Sequence, residues 1–152
     1  MEWEWLTFDE LGADTLYEIL KIRQTVFILE QNCQYQDADN LDRAAWHLIV
    51  WERDARSGEK EIAGYLRVVF PGRKYEEPAI GRVLTAASHR GKGLGKQIMA
   101  AAMERIDQVY GKTPVRISAQ KHLEDFYRGF GFNTVSAPYD DAGIPHIEML
   151  RP

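Results

Sequence analysis

Residues 79–119 place the tightest limit on what this chain can become. An apolar run, Ala79 to Thr85, leads into Arg90-Gly91-Lys92-Gly93-Leu94-Gly95, then a helical pattern, then a second apolar run from Pro114 to Ala119. In the middle stretch Leu94, Ile98, Ala101, Ala102, Ile106 and Val109 share one helical face, and Gly111 is placed to cap the end. Strand, glycine turn, helix and strand in that order read as a right-handed crossover joining parallel neighbours of a sheet. Three glycines in five residues leave backbone amides unobstructed by Cβ atoms. The helix start adds partial positive charge, and Arg90, Lys92 and Lys96 add whole charges, so the turn suits an anion. A plain tight turn fits the same residues.

The rest of the chain supplies antiparallel flanks. Thr15-Leu16-Tyr17-Glu18 fits a capping box, and Leu16, Ile19, Leu20, Val26 and Phe27 extend a first helix to about Glu30. Residues 31–44 carry neither period and read as a loop. Trp46, Leu48 and Val50 alternate with His47, Ile49 and Trp51, which predicts a strand, and Ile62 to Phe70 predicts its hairpin partner. Beyond the crossover come a short helix from Leu123 to Phe130, a strand near Phe132 to Ser136, a turn at Asp140 to Pro145 and a last strand from His146 to Leu150. The expected fold is α/β, a mixed sheet with helices on its faces, and 152 residues fit one domain spanning 1–152.

Charge and composition exclude several functions. The net charge is −4 and no basic stripe is present, so neither nucleic acid nor an anionic membrane is an expected partner. No segment approaches the roughly 20 apolar residues of a membrane span. Met1 to Trp5 carries glutamates where a secretory signal carries basic residues, and Cys33 is the one cysteine, so a cytoplasmic setting is expected. Two common phosphate loops fail on spacing. The third glycine comes one residue too early for the dinucleotide fingerprint, and the nucleotide loop would need a glycine at Arg90 and a hydroxyl at Gln97.

The actual spacing, Arg90-x-x-Gly93-x-Gly95, resembles the signature of the GNAT N-acetyltransferases. Ala119 to Phe132 is similar to that family's second motif, and Val26 to Asp39 with Gly143 to Ile147 resembles its ElaA-type bacterial branch. The resemblance covers essentially the whole chain. It implies a mostly antiparallel mixed sheet with a splayed parallel central pair and about four flanking helices. It also implies acetyl-CoA as co-substrate, with no metal, and transfer to a primary amine by direct attack in a ternary complex. The cofactor residues it implies are Val83, Leu84, Thr85, Arg90, Gly91, Lys92, Gly93, Leu94, Gly95, Lys96 and Gln120. The pantetheine arm would pair with strand 79–85, the pyrophosphate would lie on amides 91–96, and an amide near Leu84 or Thr85 would meet the thioester oxygen.

Tyr127 matches the family tyrosine that protonates the leaving thiolate; its place in the line Leu123, Phe126, Tyr127, Phe130 also fits a core residue. Some relatives carry a glutamate base where this chain has Val115, which leaves His146, Glu30, Asp37 and His47 as candidates, or a water chain. Tyr35, Asp37 and Asp39 belong to an acidic loop that either attracts a cationic amine or is simply solvated. That loop lacks the glycine of a calcium site. The acceptor is a small-molecule or peptide amine, and both monomer and homodimer remain open. A non-catalytic acyl-CoA-binding module and a transferase for another acyl-CoA stay as alternative readings.

Overall fold

The computed structural model describes residues 1–152 as one eight-stranded sheet carrying helices on both faces. Strand β1 (Glu2–Thr7) leads directly into helix α1 (Phe8–Arg23), which continues as a π-helical segment, Gln24–Glu30. Strands β2 (Ala45–Arg53), β3 (Lys60–Val69) and β4 (Ala79–Thr85) follow as an antiparallel series. Helix α2 (Leu94–Tyr110) crosses to β5 (Val115–Gln120), which is parallel to β4. Helix α3 (Glu124–Arg128), β6 (Asn133–Thr134), β7 (Tyr139–Asp141) and β8 (Ile144–Arg151) complete the chain. The strand order is β1-β2-β3-β4-β5-β8-β6, with β7 paired to β8. Three α-helices stand where about four were expected, because the last turns of the first helix are π-helical and the other short turns are 3-10.

One expectation is corrected at the amino terminus, and one element there was not foreseen. The first helix starts at Phe8, eight residues earlier than the box at Thr15 suggests. Its capping pair is Thr7 with Glu10: the Thr7 amide and hydroxyl each donate to Glu10 Oε1 at 2.9 Å. Gly12, at φ 72, breaks the helical path just after this first turn. The unforeseen element is β1, which pairs with β2 from Glu2↔Trp51 to Thr7↔Trp46. Its run of two tryptophans between glutamates was legible only as an absence of signal-peptide character.

One face of the sheet is closed by α2 together with Tyr127 of α3, the other by the first helix. Helix α2 buries Leu94, Ile98, Met99, Ala102 and Ile106 against Leu48, Val50, Leu66, Val68, Ile80 and Ile117. Ile98 is fully buried, and its truncation to alanine would cost about 2–5 kcal/mol through lost contacts and a cavity. Gly64 on β3 permits this approach: a Cβ there would lie 3.2 Å from Leu94 Cδ2. On the opposite face Ile19 and Val26 pack over Ile49, Trp51, Ile62, Tyr65 and Leu84.

The sheet is irregular at two places, between Val50 and Trp51 on β2 and in the β3–β4 pair, and the second lies beside the cleft. Arg67 pairs with Gly81 but Tyr65 pairs with Leu84, so Arg82 and Val83 together stand opposite Leu66. This bulge puts Arg82 at φ 53, an uncommon conformation for a residue with a side chain. The parallel pair β4–β5 is held at one end only, by Ala79↔Arg116 and by the Arg116 amide donating to Pro78 O at 3.1 Å. Beyond that point the two strands diverge, as expected for a splayed central pair. No helix is long and apolar enough to cross a membrane.

Candidate active site

The cleft opened by the β4–β5 split is lined by Ile80, Gly81, Arg82 and Val83 on one wall and by Ile117, Ser118, Ala119 and Gln120 on the other. Phe27, Gln31, Cys33 and Tyr35 cover it from the first helix and its following loop, and Leu123 and Tyr127 close its inner side. The β7–β8 hairpin brings Asp141, Ala142, Ile144 and His146 to its rim. Tyr127, His146, Gln120, Val83 and Tyr35, all expected at the site, therefore share one cleft.

The glycine turn lies where β4 runs on toward α2. Gly91 and Gly93 adopt φ 76 and φ 80, so the chain turns through left-handed geometry that side chains disfavour. Gly93 is the N-cap of α2 and offers no capping side chain. As a result none of the six amides from Gly91 to Lys96 donates to a protein acceptor; the first bond of the helix is Gln97 N–H to Gly93 O at 3.2 Å. Lys92 and Lys96 are exposed beside them. A run of free amides at a helix start, flanked by ammonium groups, fits a phosphate-bearing ligand. Arg90 is already engaged: its guanidinium donates to Glu30 at 2.6 Å and to Thr85 O at 3.2 Å. That pair ties the end of the π-helical segment to the turn, and it occupies Glu30 outside the cleft.

Tyr127 is 7% exposed, yet its hydroxyl makes no hydrogen bond with any protein group. Phe126 and Phe132 pack edge-on to its ring, at 5.1 and 6.3 Å between centroids. Burial alone pushes the phenol up to about 12, so it stays protonated and is available as a donor. His146 shows complementary chemistry. Its Nδ1–H donates to Ile144 O at 2.7 Å, which leaves Nε2 as a free acceptor, and its ring stacks on Tyr139. Gln120 donates to Gln31 Oε1 at 3.2 Å and so bridges the end of β5 to the covering loop.

The acidic loop differs from expectation. Asp37 accepts from Arg23 and from Arg82, both at 2.8 Å; Asp42 accepts from Arg23 at 2.7 Å and from Arg67 at 2.9 Å. Asp39 takes Arg67 at 2.5 Å and Arg82 at 3.4 Å. Three carboxylates thus meet three guanidiniums, and the set carries no net charge. Burial favours the neutral acid at Asp39 and Asp42, but the bonds from Arg67 and Arg23 outweigh it and hold both below the usual carboxylate range. Asp37 and Asp39 are consumed by the fold and leave no ring of carboxylates open to an amine. Tyr35 donates to Asp37 at 3.2 Å, and burial raises its phenol to about 12.

His47 belongs to the same structural set. It is fully buried, its Nε2–H donates to Asp42 O at 2.9 Å, and its Nδ1 accepts from Tyr65 at 2.7 Å. Burial keeps it neutral. Val115 is also fully buried, so the start of β5 has no acid or base to offer. Arg82, Lys74 and Asp141 line the site without having been expected there. The bulge that aims Arg82 follows from register, and Lys74 and Asp141 carry no motif.

Comparison with known proteins defines the class. The family model for the acetyltransferase (GNAT) domain matches residues 29–151, and the chain belongs to that family. Its relatives lie in a narrower group. A UPF0039 protein of Synechocystis sp. is 42% identical, over 99% of this chain and 94% of that one. Protein ElaA of Escherichia coli is 37% identical, over 99% and 96%. The crystal structure of an acyl-CoA N-acyltransferase from Pseudomonas aeruginosa matches with a TM-score of 0.90 at 36% identity, covering 100% of both chains.

Proposed function

We propose that this protein transfers an acetyl group from acetyl-CoA to a primary amine bound in the β4–β5 cleft. One observation carries the reading. The cleft joins a strand edge without a partner, an unpartnered buried phenol and a histidine with a free ring nitrogen, and the turn that follows β4 adds six free amides. Each is a group left unsatisfied by the fold and suited to one part of this reaction.

The residues that would hold the co-substrate are the amides of Gly91 to Lys96, with Lys92 and Lys96, for the pyrophosphate. The diverging edge of β4 at Val83 to Thr85, together with Gln120, would take the amide-bearing arm. When bound, the co-substrate supplies an activated acyl carbon and a thiolate leaving group. The protein's own work is proton handling and orientation. An alkyl amine is mostly protonated at neutral pH, and His146 Nε2 accepts the proton that frees its lone pair. The C–N bond forms as the C–S bond breaks, with the bonding pair leaving on sulfur. A further proton is lost from nitrogen and one is gained by sulfur. A phenol at about 12 is a weaker acid than a thiol near 8.5, so Tyr127 acts chiefly by donating a hydrogen bond to the departing sulfur. A backbone amide of Leu84 or Thr85 is the proposed donor to the acyl oxygen as it gains charge.

Thiol release from acetyl-CoA, measured against a panel of amines in wild type and Tyr127→Phe, tests this. Release on at least one amine, strongly reduced in the variant, is the expected result. Saturable acetyl-CoA binding with no release on any amine would replace transfer with a binding module.

A further inference from the structure

On the rim of the cleft, a second depression shares Ile80, Gly81, Arg82, Ser118, Asp141 and His146 with the first and adds Arg67, Val69, Lys74 and Ala79. Its polar groups fall into two kinds. Arg67 and Arg82 have their charge matched by the loop aspartates behind them. Lys74, on the turn between β3 and β4, lies over the Tyr75 ring at 5.4 Å and makes no salt bridge; desolvation together with Arg67 and Arg82 outweighs the pull of Asp39 and Asp141 and holds its ammonium below the ordinary lysine range. Arg67 Nε, buried beside Gly81, is also without an acceptor. These are donors without an anion. Opposite them Asp141, at the tip of the β7–β8 hairpin, acts on Lys74 through space without forming a salt bridge, and His146 keeps Nε2 free. These are acceptors with no cation in direct contact.

A ligand that completes both sides carries an ammonium at one end and an anion at the other. We infer that the acceptor is a small amino-acid-like zwitterion whose carboxylate meets Lys74 and whose amine lies between Asp141 and His146. The inference rests on the transfer reading above and names its substrate class. A polycation is disfavoured by the same arrangement, because its second ammonium would face Lys74 and Arg82.

The test uses matched pairs: the common α-amino acids and their carboxamides, as acceptors in thiol release, with wild type and Lys74→Glu. The corresponding N-acetyl amino acids and N-acetyl amides are titrated calorimetrically into the same proteins with coenzyme A present, a readout that needs no turnover. Wild type is expected to favour one or more free acids over their amides by about tenfold or more, the range of a charge-assisted contact. Lys74→Glu should abolish or reverse that preference while its thermal midpoint stays near wild type, since Lys74 is exposed. Equal response to acids and amides, or a preference that Lys74→Glu leaves intact, overturns the inference. Release confined to uncharged amines overturns it while leaving acetyl transfer standing. Silence in both assays overturns it as well.

Discussion

At the glycine turn six consecutive amides are left without acceptors, whereas across the cleft three aspartates are fully shared among three arginines. Both regions are rich in polar groups, and only one has anything left to offer a ligand. The turn keeps its donors free because the chain reverses through two left-handed glycines and begins a helix without a cap. The loop uses up its acceptors because Arg23 and Arg67 are buried and a buried charge must be paired. Free polar groups mark a binding site, and satisfied ones mark a brace. The brace has its own part in the site, since Arg82 carries it into the β3–β4 bulge beside the cleft.

The largest effect should come from breaking the brace. Asp42→Ala leaves Arg23 and Arg67 short of a carboxylate and should destabilise the fold by about 3–5 kcal/mol in denaturant unfolding. A variant as stable as wild type would mean the ion set is not structural. On the free side, Tyr127→Phe should lower kcat by about a hundredfold, the usual range for losing one hydrogen-bond donor to developing charge, with acetyl-CoA affinity near normal. Stability should change little, because the hydroxyl bonds to nothing in the protein. Gly93→Ala forces a side chain into φ 80, at about 1–2 kcal/mol, although no atom lies within 4 Å of the added Cβ. Weakening of acetyl-CoA binding by about tenfold, with little change in kcat at saturation, is the expected outcome by calorimetry and kinetics.

The smallest effect is in pH dependence. Asp39 and Asp42 have lowered folded values, so their stabilisation is complete above the ordinary carboxylate value near 4 and is lost as pH falls through the folded values. His47 is held neutral in the fold, so its contribution is complete above about 6.5. Below that the unfolded chain binds the proton first and stability declines. Thermal midpoints should therefore be level above pH 7, slope gently downward below 6.5, and fall steeply below about 4. His47→Gln should remove the gentle slope and keep the steep one.

Much of the architecture was readable along the chain, element by element. The strands at 45–53, 60–69, 79–85 and 115–120 show their alternation or apolar runs, and α2 shows its stripe and both glycine caps. The capping box was misplaced because Thr15-Glu18 and Thr7-Glu10 satisfy the same local rule, and only the pairing of β1 with β2 selects the second. Tyr127 could be read as core or as acid from its helical line. The fold makes it both, a buried ring with an open hydroxyl.

By itself the sequence determined the crossover, the glycine turn and the family, because those depend on residues near one another in the chain. Backbone conformation and amide exposure follow from local sterics, and glycine spacing records them directly. Tertiary structure alone decided the fate of the charges. Asp37 meets Arg82 across 45 positions, and Lys74 and Asp141 line one depression although they lie in separate turns of the chain. Whether a carboxylate is a ligand site or a brace depends on which cation the fold brings within about 3 Å, and sequence order does not carry that distance.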